Sequence, residues 1–314
     1  MKHERTLALA AFAVVCLVWG TTYLAIAIAI ETIPPLALTA IRFIIAGALM
    51  AAIALWRGER LPRDRRTLVN LAIVGFLMIG MGNLAVAWAE QWVPSGLAAL
   101  FVATAPFWMV VIEAFRRQGE RADLRTGAGM LIGFAGVAML VTPGGAGPSW
   151  NFSFIAGAVA IQIGSIAWQL GSVRGKYHLN HVPLLASASL QMLFGGLIVG
   201  VLSVVIGEPA RFVLNARTFA ALVYLTLFGS VLAYSAYVYA LAKLRTTKVS
   251  LYAYVNPVVA VILGWLILDE KLTPLSIVAM VTILGGVALV QTAGLRRKPL
   301  PVSVPALEPE KTAA

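Results

Sequence analysis

WGTTYLAIAIAIETIPPLALTAIRFIIAGAL, residues 19–49, and WQLGSVRGKYHLNHVPLLASASLQMLFGGL, residues 168–197, are two versions of one pattern. Trp19 matches Trp168, Pro34 matches Pro183, Arg42 matches Gln191 and Gly47 matches Gly196, all at one offset (168 − 19 = 149). The register persists downstream. Thr67 matches Thr218, Leu100 matches Leu251 and Pro106 matches Pro257, while GVAML at 136–140 matches GVALV at 286–290. A period this long and this steady means that the chain carries one unit twice.

Each copy is built of long apolar blocks. The chain is 60% hydrophobic and 12% charged, with mean hydropathy +0.89, against about 25% charged residues in soluble domains. Blocks of roughly 20 apolar residues match a hydrocarbon core about 30 Å thick. Lipid offers no backbone hydrogen bonds, so such blocks are helices. The blocks predict an all-α polytopic membrane protein with ten spans, near 7–30, 36–56, 67–89, 94–115, 125–142, 152–173, 183–206, 218–241, 249–268 and 273–292. Five spans per copy is an odd number, so the second copy enters the membrane in the opposite sense. Inverted-topology repeats are a recurrent plan of secondary transporters, with the site near midplane between the halves.

Charge orients the chain. With the N-terminus in the cytoplasm, Arg211, Arg217 and Lys271 fall on outer loops, Arg42 falls inside a span, and the other lysines and arginines of the total of 24 fall inside. This bias predicts a multi-pass protein of a bacterial inner membrane with both termini cytoplasmic. It also accounts for the net charge of +11 without nucleic acid. The N-terminal block is too long for a secretory signal and reads as an uncleaved first span. The single cysteine, Cys16, and the three histidines form no metal or redox spacing. No nucleophile elbow or paired intramembrane carboxylates occur either. The expectation is no enzyme activity and no cofactor, with the lipid bilayer and a small-molecule substrate as partners.

The pattern LVWGTTY…IPPLALTAIRFIIAG, followed by AEQWVPSGLAALFVATAPFWMVV and GERADLRTGAGMLIGFAGVAMLV, resembles the EamA-type repeat of the drug/metabolite transporter superfamily. The segment TTKVSLYAYVNPVVAVILGWLILDEKLTPLSIVAMVTILGGVALV resembles its second copy. The resemblance covers residues 6–142 and 151–292 and leaves 293–314 as a disordered cytoplasmic tail. It implies a ten-helix exporter of amino acids or related metabolites. Multidrug efflux or metabolite uptake is the alternative, and a non-transporting scaffold a remoter one. Fold alone does not choose among them.

Polar and aromatic residues within spans nominate a site. Gln162 and Gln169 share a face of the sixth span, and Trp19 and Tyr23 share one of the first. Asn83 lies mid-span in the third, Tyr234 and Tyr237 face together in the eighth, and Tyr252 and Asn256 face together in the ninth. Amides are costly in lipid, so these faces are expected to look inward on an apolar cavity with a few orienting groups. Pro106 and Pro257 occupy one repeat position and read as paired bending points for gating. Arg42 and its counterpart Gln191 are assigned gating or structural roles. Arg42 is expected to face the interior near the outer side and to bond helix-end carbonyls, Glu31 or Glu90. Capture of a substrate carboxylate is the sharper reading. No Asp or Glu lies at midplane, which argues against proton exchange for lipophilic cations.

Overall fold

The structure is a computed structural model and describes residues 2–115, 124–141, 151–244, 249, 252–271 and 273–295. The tail beyond Leu295 and the arginine-bearing segment 116–123 lie outside these residues. Among the described residues every regular element is helical.

Helix α1 is Lys2–Ala29 and α2 is Pro35–Trp56. Helix α3, Arg65–Ala89, contains a π-helical stretch at Phe76–Asn83. Helices α4, Ser95–Val102, and α5, Ala105–Ala114, divide the fourth apolar block. Then come α6, Leu124–Val141, α7, Phe152–His178, and α8, Leu184–Val205. Helix α9, Ala216–Lys243, has its own π stretch at Leu225–Leu232, and α10, Tyr252–Leu268, and α11, Pro274–Leu295, complete the order. Seven helical segments are long and apolar enough to cross a membrane, and shorter apolar helices cover 127–136, 255–268 and 274–286.

Local chemistry sets the ends. Asp64 accepts from Thr67 N, Asn151 from Phe154 N and Asn215 from Thr218 N, each ending a run of orphan N–H groups. The Asp64 bond to Thr67 also holds that carboxyl below its usual range. Prolines 34, 94 and 183 stand immediately before helices, and Pro35 and Pro274 open them, where a missing N–H does no harm.

Contacts between the copies come in matched pairs. Helix α2 packs along α8, its own counterpart, and α6 along α11. Helix α1 packs on α9 and α10, as α7 packs on α3 and on the α4–α5 pair. The α2–α8 seam needs glycine on both sides. A Cβ on Gly47 would lie 2.9 Å from Ser189 O, and one on Gly196 would lie 2.9 Å from Ile44 N. Small residues there let two backbones meet, the usual route to association where lipid supplies no hydrophobic drive.

The helix starts of this seam are also finished reciprocally. Glu208 accepts from Ala37 N at 2.7 Å, from Leu36 N at 3.4 Å and from Ser203 Oγ at 3.0 Å. Its counterpart Glu59 accepts from Ala186 N at 3.0 Å. Both carboxylates and both recipients are related by one offset (208 − 59 = 149; 186 − 37 = 149). The two π stretches obey it too (225 − 76 = 149).

The paired prolines behave differently. The helix breaks at Ala103–Thr104, just before Pro106, whereas Pro257 lies inside continuous α10. Gln162 of α7 supplies the difference. Its Oε1 accepts from Thr104 Oγ1 at 2.8 Å and from Trp108 Nε1 at 2.9 Å, while its Nε2 donates to Phe101 O at 3.1 Å. These three bonds replace the helical ones lost at the break.

Candidate functional site

A narrow cavity of about 80 Å³ lies at the centre of the helices, with walls from both copies. From α1 come Trp19, Thr22, Tyr23 and Ile26, spaced along one helical face. From α7 come Ile161, Ser165 and Trp168 on a second face, and α3 adds Asn83 and Val86. Arg42 enters from α2, and Tyr252 and Asn256 from α10. Glycines make the closure possible. A Cβ on Gly82 would meet Trp168 Cε3 at 2.9 Å, and one on Gly164 would meet Ala85 Cβ at 2.6 Å, so α3 and α7 pack closely.

Arg42 is 5% exposed. Its Nε donates to Ser230 Oγ at 2.7 Å, in the π stretch of α9, and its guanidinium lies 4.6 Å from the centroid of the Phe43 ring. The expectation that it faces the interior agrees with this placement; the expected partners do not. Glu31 pairs instead with Arg217 at 3.1 Å on the surface, and Glu90 bonds to nothing. The π stretch explains the reach. Gly229 leaves room, since a Cβ there would lie 2.9 Å from Arg42 Nη2, and its carbonyl accepts from Trp19 Nε1 at 3.1 Å. Such stretches occur often at functional sites. The π stretch of α3 ends at Asn83, whose Nδ2 donates back to Met78 O at 3.4 Å. The Asn256 amide, turned with its nitrogen toward acceptors, donates to Cys16 O at 2.9 Å and Tyr252 O at 3.2 Å.

A second cavity, about 530 Å³, lies toward the face formed by 57–64 and 179–183. It is lined by Ser172 and Lys176 of α7, Gln191 of α8, and Tyr237 and Lys243 of α9, among others. An aromatic partition separates it from the central cavity. Trp19 and Tyr237 have ring centroids 5.0 Å apart, Trp168 and Tyr237 5.6 Å, Trp19 and Tyr252 5.1 Å. Trp168 Nε1 donates to the Tyr237 hydroxyl at 3.3 Å, and Ser172 Oγ lies 3.0 Å from it.

Of the nine residues nominated from sequence for substrate contact, Trp19, Tyr23, Asn83, Tyr252 and Asn256 line the central cavity. Tyr237 borders the second cavity instead, as does Gln191. Gln162 braces the helix break, Gln169 is buried outside the central lining, and Tyr234 donates to Gln191 Oε1 at 2.7 Å. Thr22, Ser165 and Trp168 were not nominated. The matching of Trp19 with Trp168 was the available signal for the last of these.

The comparisons agree with this architecture. The chain is 37% identical over 294 residues to the inner membrane transporter YedA of Escherichia coli (strain K12), covering 93% of each. It is 27% identical to a "Probable terminal-alkyne amino-acid exporter" of Streptantibioticus cattleyicolor, covering 89% of this chain and 92% of that one. A crystal structure at 22% identity superposes with a TM-score of 0.68 over 92% of this chain and 98% of its own, which shows a shared fold. Residues 6–142 and 155–292 each match the EamA-like transporter family, and the chain belongs to that family.

Proposed function

We propose that the protein exports a small amphipathic metabolite, an amino acid or a derivative, across a bacterial inner membrane. It works by alternating access between two inverted five-span halves, with both termini in the cytoplasm. The observation that carries this reading is the pair of cavities divided by one aromatic partition. The central cavity is far below the 300 Å³ or more of ordinary ligand pockets, so it is a site in its constricted state. The larger cavity is a vestibule on the face that the positive-inside rule assigns to the cytoplasm. Cargo enters there, passes the partition as its rings rotate, and leaves through the opposite face.

The matched contacts between copies, above all the reciprocal Glu59 and Glu208 caps, support inverted symmetry. Opening one face is then the mirror of opening the other. Arg42 is the cation at the central cavity. It engages Ser230 through Nε, and its remaining N–H groups suit a carboxylate of the cargo. Trp19, Tyr23 and Tyr252 suit an apolar or aromatic body. A lone cation in the lining favours carboxylate-bearing cargo over lipophilic cations. The amino-acid exporter named above is a relative with such a cargo in its name.

The test is an untargeted comparison of metabolites in the medium of overexpressing and deletion cells, repeated with Arg42→Leu. Export of an amphipathic carboxylate that vanishes in the variant supports the reading. Accumulation inside the overexpressing cells, or no Arg42-dependent metabolite, sinks it.

A further inference from the structure

Glu90 follows the last residue of α3, is 9% exposed, and has no hydrogen-bond partner on either carboxylate oxygen. The other carboxylates of that face are provided for. Glu31 has Arg217, Glu208 has two N–H groups and Ser203, and Glu270 accepts from Ser95 N, Ser95 Oγ and Gly96 N. The titratable groups that act on Glu90 are Tyr23 of α1 and Glu270, between α10 and α11. Neither supplies positive charge.

A buried carboxylate with no cation and no donor is not sustainable in ionised form, whereas a neutral carboxyl group is. Burial, and after it the Glu270 charge, push the Glu90 carboxyl well above the ordinary range. Glu270 is held ionised by its three donors, so the two acids are driven apart. Tyr23, which senses the Glu90 charge, also lines the central cavity. Any opening of this end that wets the cavity beside Tyr23 also brings water to Glu90.

We propose that Glu90 is a proton-binding site that couples opening of this face to proton release. The claim rests on the alternating-access reading above. With the face closed, the carboxyl keeps its proton. When the face opens, the O–H bond breaks, the proton passes to a water molecule, and the electron pair stays on the carboxylate. The closed end is favoured while pH lies below the ordinary carboxylate value and loses that advantage as pH rises through the raised one.

The direct readout is the infrared carbonyl band of a neutral carboxyl group in reconstituted protein, titrated with pH. A band present near neutral pH, lost in Glu90→Gln and shifted to vanish at lower pH in Glu270→Gln, supports the site. Absence of the band in the folded wild type, or its survival in Glu90→Gln, overturns it whatever the cargo. Coupling is read separately by labelling Val86→Cys, in a Cys16→Ser background, with an impermeant thiol reagent from this face. Labelling should rise with pH and stay low at all pH in the added presence of Glu90→Gln. An equal rise with and without that change overturns the coupling, while a proven band with no labelling anywhere overturns the opening on which it rests.

Discussion

Arg42 Nε and Ser230 Oγ are joined at 2.7 Å across the line between the two sequence copies, and the bond is buried. Arg42→Lys keeps the charge but loses the planar fork. It should fold and lose most export. Arg42→Leu should lose export altogether and leave the Ser230 hydroxyl unpaired, at about 1–3 kcal/mol. Normal export by Arg42→Leu, measured by the same metabolite comparison, would make Arg42 structural.

The reciprocal caps should differ in strength. Glu208 is 3% exposed and Glu59 is half-buried. Glu208→Ala should cost about 2 kcal/mol and Glu59→Ala nearer 0.5 kcal/mol, the two ends of the range for lost helix caps. Thermal melting in detergent gives the order, and equal losses would mean that burial does not set the value of these bonds.

Gln162→Leu keeps the volume near Phe101 but removes all three bonds at the helix break. Buried donors left unpaired cost roughly 1–3 kcal/mol each. The melting point should fall, and Trp108, which loses its indole partner, should show altered fluorescence. An unchanged spectrum would place the brace elsewhere.

Gly47→Val should prevent proper packing of α2 on α8, because its Cβ would press on Ser189 O and Leu193 N, both backbone atoms that cannot turn aside. Gly58→Ala is the contrast. Nothing lies within 4 Å of its Cβ, and only its φ of +78° resists, a cost of about 1–2 kcal/mol. Expression and melting of the two variants should separate clearly.

Orientation is open to cysteine labelling. In a Cys16→Ser background, an impermeant reagent applied to intact cells should label Arg211→Cys and spare Arg60→Cys. The reverse pattern would invert the direction proposed for transport.

The repeat, the helices and the inward faces were legible because apolar blocks and a constant offset are sequence properties. Depth and neighbours were not. Gln162 shares a face with Ser165, yet Ser165 lines the cavity and Gln162 meets the break one turn away. Side-chain spacing fixes a direction around a helix but not which partner waits there. The π stretches were invisible because no residue type marks them. An extra residue in the turn rotates everything that follows, which is how Asn83 and Ser230 come to face where a regular helix wheel would not put them. The unlike fates of Pro106 and Pro257 follow from a residue on another helix, which no local reading of either proline contains.

The Glu208 bond to Ala37 spans 171 residues of chain. During synthesis at about 5–20 residues per second, the start of α2 therefore stays unfinished for roughly 10–30 s after it has emerged. Until then the first copy is an incomplete body whose exposed N–H groups only the second copy can close. Halves made as separate polypeptides should thus each be poor substrates for stable insertion, and good ones together.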